Sequence, residues 1–253
     1  MKLMENRNFM KCPAFTEALK TSDQALGKKA PPHGKEVKGE LIELPYYGEV
    51  VESSYPVLLD QRRSLRSYDE TANMTKAQLA YMLYTAQGIQ EYRGKDESFT
   101  LRPVPSGGAR HPFETYVAVR NVEGLQAGLY YYAPAANVGE KKVSISYMHS
   151  IPDYEKTMSD MLMGQSWATK AAAVLFLSCV PYRSEWRYKE LSHRVVLIDL
   201  GHVGQNMMLS AVSLGLGSCC MAAYDQALCD KVLGLDGVDE YTVYALSVGK
   251  AKA

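Results

Sequence analysis

A surplus of charge is the first thing this chain lacks: 28 Lys and Arg are matched by 28 Asp and Glu, a formal net charge of zero with histidine neutral. That balance points to neither nucleic acid nor a membrane surface as partner, so positive charge that gathers anywhere needs a local explanation. A long apolar run is missing too. The longest, "AAAVLFLSCV" from Ala171, is half a membrane span, and the start, "MKLMENRNFMKC", has no apolar segment of the signal-peptide kind. The expectation is a soluble, cytoplasmic protein. Paired cysteines are also absent. Cys12, Cys179, Cys219, Cys220 and Cys229 are odd in number and contain no CxxC spacing. Free thiols in a reducing compartment are expected, without a disulfide framework or a zinc site. There is no internal repeat and no low-complexity tract.

What is present is the composition of a globular chain: 253 residues, 47% hydrophobic and 22% charged, long enough to bury a full core. Residues 1–52 are polar and carry "KKAPPHGKEVKGE", which reads as an arm wrapped over the rest. Residues 53–253 read as the folded domain. In "TKAQLAYMLYTAQG", Thr75 and Gln78 form a capping box, Leu79, Met82, Leu83 and Ala86 recur at helical spacing, and Gly88 stops the helix. "FETYVAVR" and "GLYYYAP" are two strands joined through "NVEGLQA" as a hairpin. An irregular helix is expected through Met161, Leu162 and Met163, then a strand buried on both faces at "AAAVLFLS". The longest helix follows, in "SHRVVLIDLGHVGQNMMLSAVSLGLG". It has Ser192 as cap, apolar residues on more than one face, and Gly215 as stop, which places it in the core or in a subunit interface. "SCCMAAY" returns as a strand, Asp225 caps a short helix to Leu233, and "EYTVYALSVGK" is the last strand. Strands and helices mix without a βαβ rhythm, so the fold class is α+β with a mainly antiparallel sheet.

Four stretches can carry chemistry. "RRSLRSY" brings Arg62, Arg63, Ser64 and Arg66 together as a fork of donors for a phosphate or a developing anion, or as an ordinary solvated turn. "PSGGA" from Pro105 supplies a rigid proline, a hydroxyl and two glycines whose amides can approach a ligand closely; a plain tight turn opening the next strand has the same composition. "GLGSCC" has two glycines of a dinucleotide fingerprint, but they follow a helix and precede a strand. The order is wrong for a phosphate at a helix N-terminus, so a Rossmann site is rejected. His193 and His202 do not stack on one helix face, so no metal pair is expected there. His202, Gln205 and Asn206 are polar residues on an apolar helix, and such buried amides need a partner.

Read in order, "RRSLRSY", "RPVPSGGARHPFETYVAV", "VEGLQAGLYYYAP", "LIDLGHVGQNMMLSAVSLGLGSCCMAAYD" and "EYTVYALSVGK" resemble the nitroreductase superfamily of FMN-dependent oxidoreductases, within it the branch related to SagB-type and azoline dehydrogenases. They span from about Arg62 to Lys250. The resemblance implies a mixed, mainly antiparallel sheet between helices and an intertwined homodimer with FMN at the subunit interface. By the same resemblance Arg62, Arg63, Ser64 and Arg66 hold the flavin, Pro105, Ser106, Gly107 and Gly108 reach it from the partner subunit, Cys219, Cys220 and Met221 pass the ring, and Lys250 lies at the phosphate. Arg66 and Tyr188 are the candidate catalytic residues, because a guanidinium beside the ring favours its reduced, anionic form. The implied activity is ping-pong hydride transfer through flavin N5 from NAD(P)H to a small acceptor, a nitroaromatic, a quinone or an activated double bond. Two other readings stay open: a SagB or azoline-type peptide dehydrogenase, and a flavin-binding protein without turnover. Azoline oxidases carry a Lys-Tyr pair where this chain has Arg187 and Tyr188, and an arginine is a poor general base.

Overall fold

The computed structural model of the chain describes residues 20–45, 54–140 and 142–252. The opening "MKLMENRNFMKC" with Cys12, and the boundary at residue 52, lie outside the described residues.

Among the described residues nine strands form in chain order: β1 (Leu41–Leu44), β2 (Glu91–Arg93), β3 (Phe99–Leu101), β4 (Phe113–Val119), β5 (Gly128–Tyr132), β6 (Val143–His149), β7 (Ala173–Cys179), β8 (Gly217–Met221) and β9 (Tyr241–Gly249). Seven make one sheet in the order β1-β6-β5-β4-β7-β9-β8, and β2 and β3 form a separate ribbon. Every pairing within the seven-stranded sheet is antiparallel. The parallel contacts that make the architecture mixed are isolated bridges, Ser64 to Ser218 and Met74 to Val122.

Among the described residues the helices are α1 (Tyr55–Gln61), α2 (Lys76–Gln87), α3 (Tyr154–Met161), α4 (Tyr182–Tyr188), α5 (Ser192–Ser213) and α6 (Gln226–Leu233). They cover both faces of the sheet. On one face, Leu79, Met82 and Leu83 of α2 and Val196, Val203 and Met207 of α5 pack with Val117, Leu175 and Leu246. On the other, Met158 and Met161 of α3 and Cys229 and Leu233 of α6 pack with Tyr116, Val174, Phe176 and Ala245. The two lists alternate along β4 and β7, the period-two signature of strands buried on both sides, and every residue of both strands is buried.

Local chemistry explains the elements that the sequence announces. Thr75 Oγ1 accepts from Gln78 N at 3.1 Å and Gln78 Oε1 accepts from Thr75 N at 2.9 Å, so the capping box satisfies two orphan amides of α2. Asp225 Oδ1 accepts from Leu228 N at 2.9 Å at the start of α6. Val119 faces Gly128 in the hairpin of β4 and β5. Gly215 takes φ +69° beyond α5.

Other expectations change. The helix of Met161 ends there, because Met163 and Gly164 are left-handed. Ser192 does not cap α5: it is the first helical residue, and its buried hydroxyl has no partner. The arginine stretch is extended and follows a helix, α1, that no periodicity announced. Within the polar arm, Leu41–Leu44 pairs with β6 as an edge strand, and Leu44 joins the main core.

Candidate functional site

Past Gln61 the chain runs extended along the end of β8. Leu65 N donates to Ser218 O at 2.9 Å, and Ser64 bridges Ser218. Residues two apart on an extended run share a side, so Arg62, Ser64 and Arg66 face one way and Leu65 the other. Leu65 packs onto Gly217, where a Cβ would stand 2.1 Å from Leu65 Cδ2. Tyr68, 3% exposed, ties the segment to β9: its hydroxyl contacts Ser247 Oγ at 2.8 Å and donates to Leu65 O at 3.0 Å. Asp69 N then donates to Lys250 O at 2.9 Å. The fold thereby brings together Arg62, Arg63, Ser64, Arg66, β8 with Cys219, Cys220 and Met221, and Lys250.

Charge at this edge is not locked into ion pairs, although Lys250 acts at longer range on the Asp69 carboxylate. Among the described residues none of Arg62, Arg63, Arg66 and Lys250 enters an ion pair. Arg63 is partly engaged locally, its Nη1 donating to the Asp60 and Arg62 carbonyls at the end of α1. Arg66 lies 5.7 Å over the ring of Trp167, a neighbour with no sequence signal near the motif. Cys220 faces α5, with Sγ 3.9 Å from Gly204 O, and burial pushes its thiol up to about 11. Cys219 lies buried on the other side of the strand. The four cysteines among the described residues are free thiols. A cationic fork with a hydroxyl is the donor set that a phosphate monoester and its sugar chain require, so the chemistry of this edge is compatible with FMN.

The Pro105–Gly108 turn lies elsewhere, against α4 and α5. Ser106 Oγ donates to Asp199 Oδ2 at 2.6 Å, and Gly107 N donates to both carboxylate oxygens at 3.1 Å. The glycines make room within the same chain. A Cβ on Gly107 would stand 2.3 Å from Val195 Cγ1, and one on Gly108, at φ +60°, would stand 2.6 Å from the Tyr188 hydroxyl and 2.7 Å from Arg187 Cδ. Tyr188 thus sits on the turn, with the Arg187 guanidinium 5.4 Å over its ring. These contacts go to α4 and α5 and not to the Arg62–Arg66 segment.

Arg110 and His111 turn out to be structural. Arg110 donates to Gly108 O at 2.9 Å and lies 4.9 Å over the Trp186 ring; burial, then the neighbouring Arg187, lower it to about 10. His111 is buried at φ +44°, and burial followed by the charges of Arg102 and Arg110 pushes it down to about 2, so its ring is neutral. Asn206 donates to Thr85 O at 3.1 Å and so fastens α5 to α2, while His202 is exposed. His193 Nε2 meets Glu185 at 2.9 Å. Among the described residues no group of His, Cys, Asp and Glu could hold a metal ion.

The nitroreductase family model matches residues 59–250, three quarters of the chain. The chain belongs to the nitroreductase family. This nitroreductase is 30% identical over 209 residues to MJ1384 of Methanocaldococcus jannaschii, a match covering 83% of the chain and 96% of that protein. It is 32% identical over 149 residues to the trifolitoxin-processing protein TfxB of Rhizobium leguminosarum bv. trifolii, covering 58% of the chain but only 39% of TfxB. Among solved structures, a nitroreductase from Exiguobacterium sibiricum in complex with FMN superposes with a TM-score of 0.53 at 16% identity over 80% of this chain and 90% of that one, a likeness of fold. The α+β architecture with its mainly antiparallel sheet is that of the family.

Sequence reasoning missed Asp199 and Trp167. Asp199 had a faint signal, an acid inside the apolar "VVLIDLG"; Trp167 had none.

Proposed function

We propose that this nitroreductase is an FMN-dependent NAD(P)H oxidoreductase that works as a soluble cytoplasmic homodimer on a small acceptor such as a nitroaromatic, a quinone or an activated double bond. The observation that carries the reading is the cationic edge of Arg62, Arg66 and Lys250, none of them in an ion pair among the described residues, folded around Ser64 where Leu65 seats on Gly217 of β8. When bound, FMN would supply two-electron exchange between donor and acceptor. Arg62 and Lys250 would hold its phosphate, Ser64 its ribityl chain, and Arg66, steadied over Trp167, its ring edge, where a guanidinium favours the form with more negative charge. Arg63, whose Nη1 donates to two backbone carbonyls, would support the segment from behind. The backbone of Cys219–Met221 would line the ring. Pro105–Gly108 and Tyr188 would come from the second subunit, because in one chain they lie on a different set of elements from the arginines.

A dimer is supported by the outward side of α5. Leu197 and Ile198 are 55% and 46% exposed, beside exposed Gly201, where a Cβ would meet nothing within 4 Å. The segment Tyr182–Ser213 is long and apolar enough to cross a membrane by length and composition alone. Its packing against α2 and β8 supports the core-helix reading instead.

Similarity to TfxB favours a second reading, a dehydrogenase acting on a peptide. Arg187 at the turn, held by Gln24 of the arm, counts against a proton-abstracting base there. Purification decides first: a yellow preparation releasing FMN supports the flavin reading, and a colourless protein that takes up no added FMN overturns it. Anaerobic NADH or NADPH should then bleach the flavin, whereas a carrier without turnover would leave it oxidised.

A further inference from the structure

The Ser106 hydroxyl has one proton, and it goes to Asp199 Oδ2 at 2.6 Å. Its oxygen accepts in turn from His111 N at 2.9 Å. As a donor, Ser106 is therefore exhausted inside its own subunit. Gly107 N is spent on the same carboxylate, and Ala109 N and Arg110 N close back onto Ser106 O and Gly107 O. Gly108 is the one residue from Gly107 to His111 whose amide makes none of these bonds. The turn is also strained, with Gly108, Ala109 and His111 all left-handed at φ +60°, +53° and +44°. Non-glycine residues hold such angles only where the surroundings over-determine them. Asp199 is 3% exposed, and no ion pair reaches it among the described residues. A buried carboxylate in that position is tolerated because three hydrogen bonds converge on it, and burial still raises it above the usual carboxylate range.

We infer that Asp199 is a positioning residue, a latch on α5 that holds the Pro105–Gly108 turn in the shape that presents Gly108 outward, and that Ser106 serves this latch rather than binding the cofactor through its hydroxyl. The inference rests on the reading above, in which the turn meets the flavin of the other subunit. It also gives the turn a rigid connection to that subunit, since Ile198, next to Asp199, faces outward from the same helix.

The test compares FMN-loaded wild type with Ser106→Ala, Asp199→Ala, Asp199→Asn and the Ser106→Ala/Asp199→Ala double variant, reading the FMN dissociation rate after dilution and the visible flavin spectrum. Ser106→Ala and Asp199→Ala should each speed FMN release about tenfold and alter the flavin bands, as expected for losing a hydrogen bond to a charged group. The double variant should release FMN no faster than Asp199→Ala, because the two residues act as one unit. Asp199→Asn, whose amide oxygen still accepts from Gly107 N, should fall between wild type and Asp199→Ala. Additive effects in the double variant would make Ser106 an independent FMN ligand and overturn the latch. So would unchanged release and spectrum with only a lowered melting temperature. Should Asp199→Ala not fold, Ser106→Ala against Asp199→Asn decides by the same readouts. A wild type that holds no FMN overturns the flavin reading itself, a result distinct from a flavoprotein indifferent to these substitutions.

Discussion

His111 holds a neutral imidazole in the interior beside two guanidiniums, and that has a consequence in acid. Its folded value, about 2, is below the ordinary histidine value of 6.5. Below pH 6.5 the unfolded chain takes up a proton that the native chain refuses, so this position contributes nothing to pH dependence above 6.5 and destabilises progressively as pH falls from there toward 2. His111→Asn tolerates the left-handed backbone and has no proton to gain. Its melting temperature should fall less steeply than that of wild type between pH 7 and pH 4.5, and equal slopes would show that His111 is not the group involved. At the cationic edge, Arg62→Ala should speed FMN release by roughly tenfold or more, the scale of a lost charge-assisted bond. Arg63→Ala should speed it less, because its Nη1 already serves the end of α1. A dialysis series read by flavin fluorescence separates them. Residue chemistry of this kind was half legible. The RxSxR spacing marked the segment, but nothing in it distinguished Arg63 from its neighbours.

Among the elements, the turn and α5 are matched surfaces. Gly107→Ala drives a methyl into Val195 and should destabilise by ~1–3 kcal/mol, the range for overpacking. Combining it with Val195→Ala, which removes the clashing Cγ1, should recover a good part of that loss in denaturant melts. No recovery would mean that the glycine is required for another reason. Elements with strong local signals were readable. The capping box of α2, the hairpin of β4 and β5 and the apolar run of β7 each carry their own chemistry. α1 and β1 were not, because both are short and largely exposed, and β1 exists through its pairing with β6 rather than through its own pattern. The arm is likewise held by remote partners: Lys35 Nζ pairs with Glu240 at 2.7 Å and donates to Tyr116 OH at 2.6 Å, across more than 80 residues of chain.

For the molecule as a whole, the two halves of the candidate site lie on different elements of one chain, and the proposed function joins them through a second copy. Gly201→Arg places a charge on the open face of α5 without meeting any atom of its own subunit. It should halve the molar mass seen by light scattering and lose FMN in the same fractions. A dimer that persists with FMN bound would place the interface elsewhere.

Composition, periodicity and caps were enough for the α+β class and for most strands and helices, because those features rest on interactions within a few residues, whereas the flavin reading of the motifs came from the family resemblance. Only packing settled that Arg62, Arg66 and Lys250 share one edge without ion pairs among the described residues, that Arg110 and His111 are buried supports, and that Ser106 gives its proton to Asp199. Those facts depend on contacts between residues far apart in the chain, such as Asp69 N with Lys250 O, and no local pattern records where a folded sheet will bring distant side chains together.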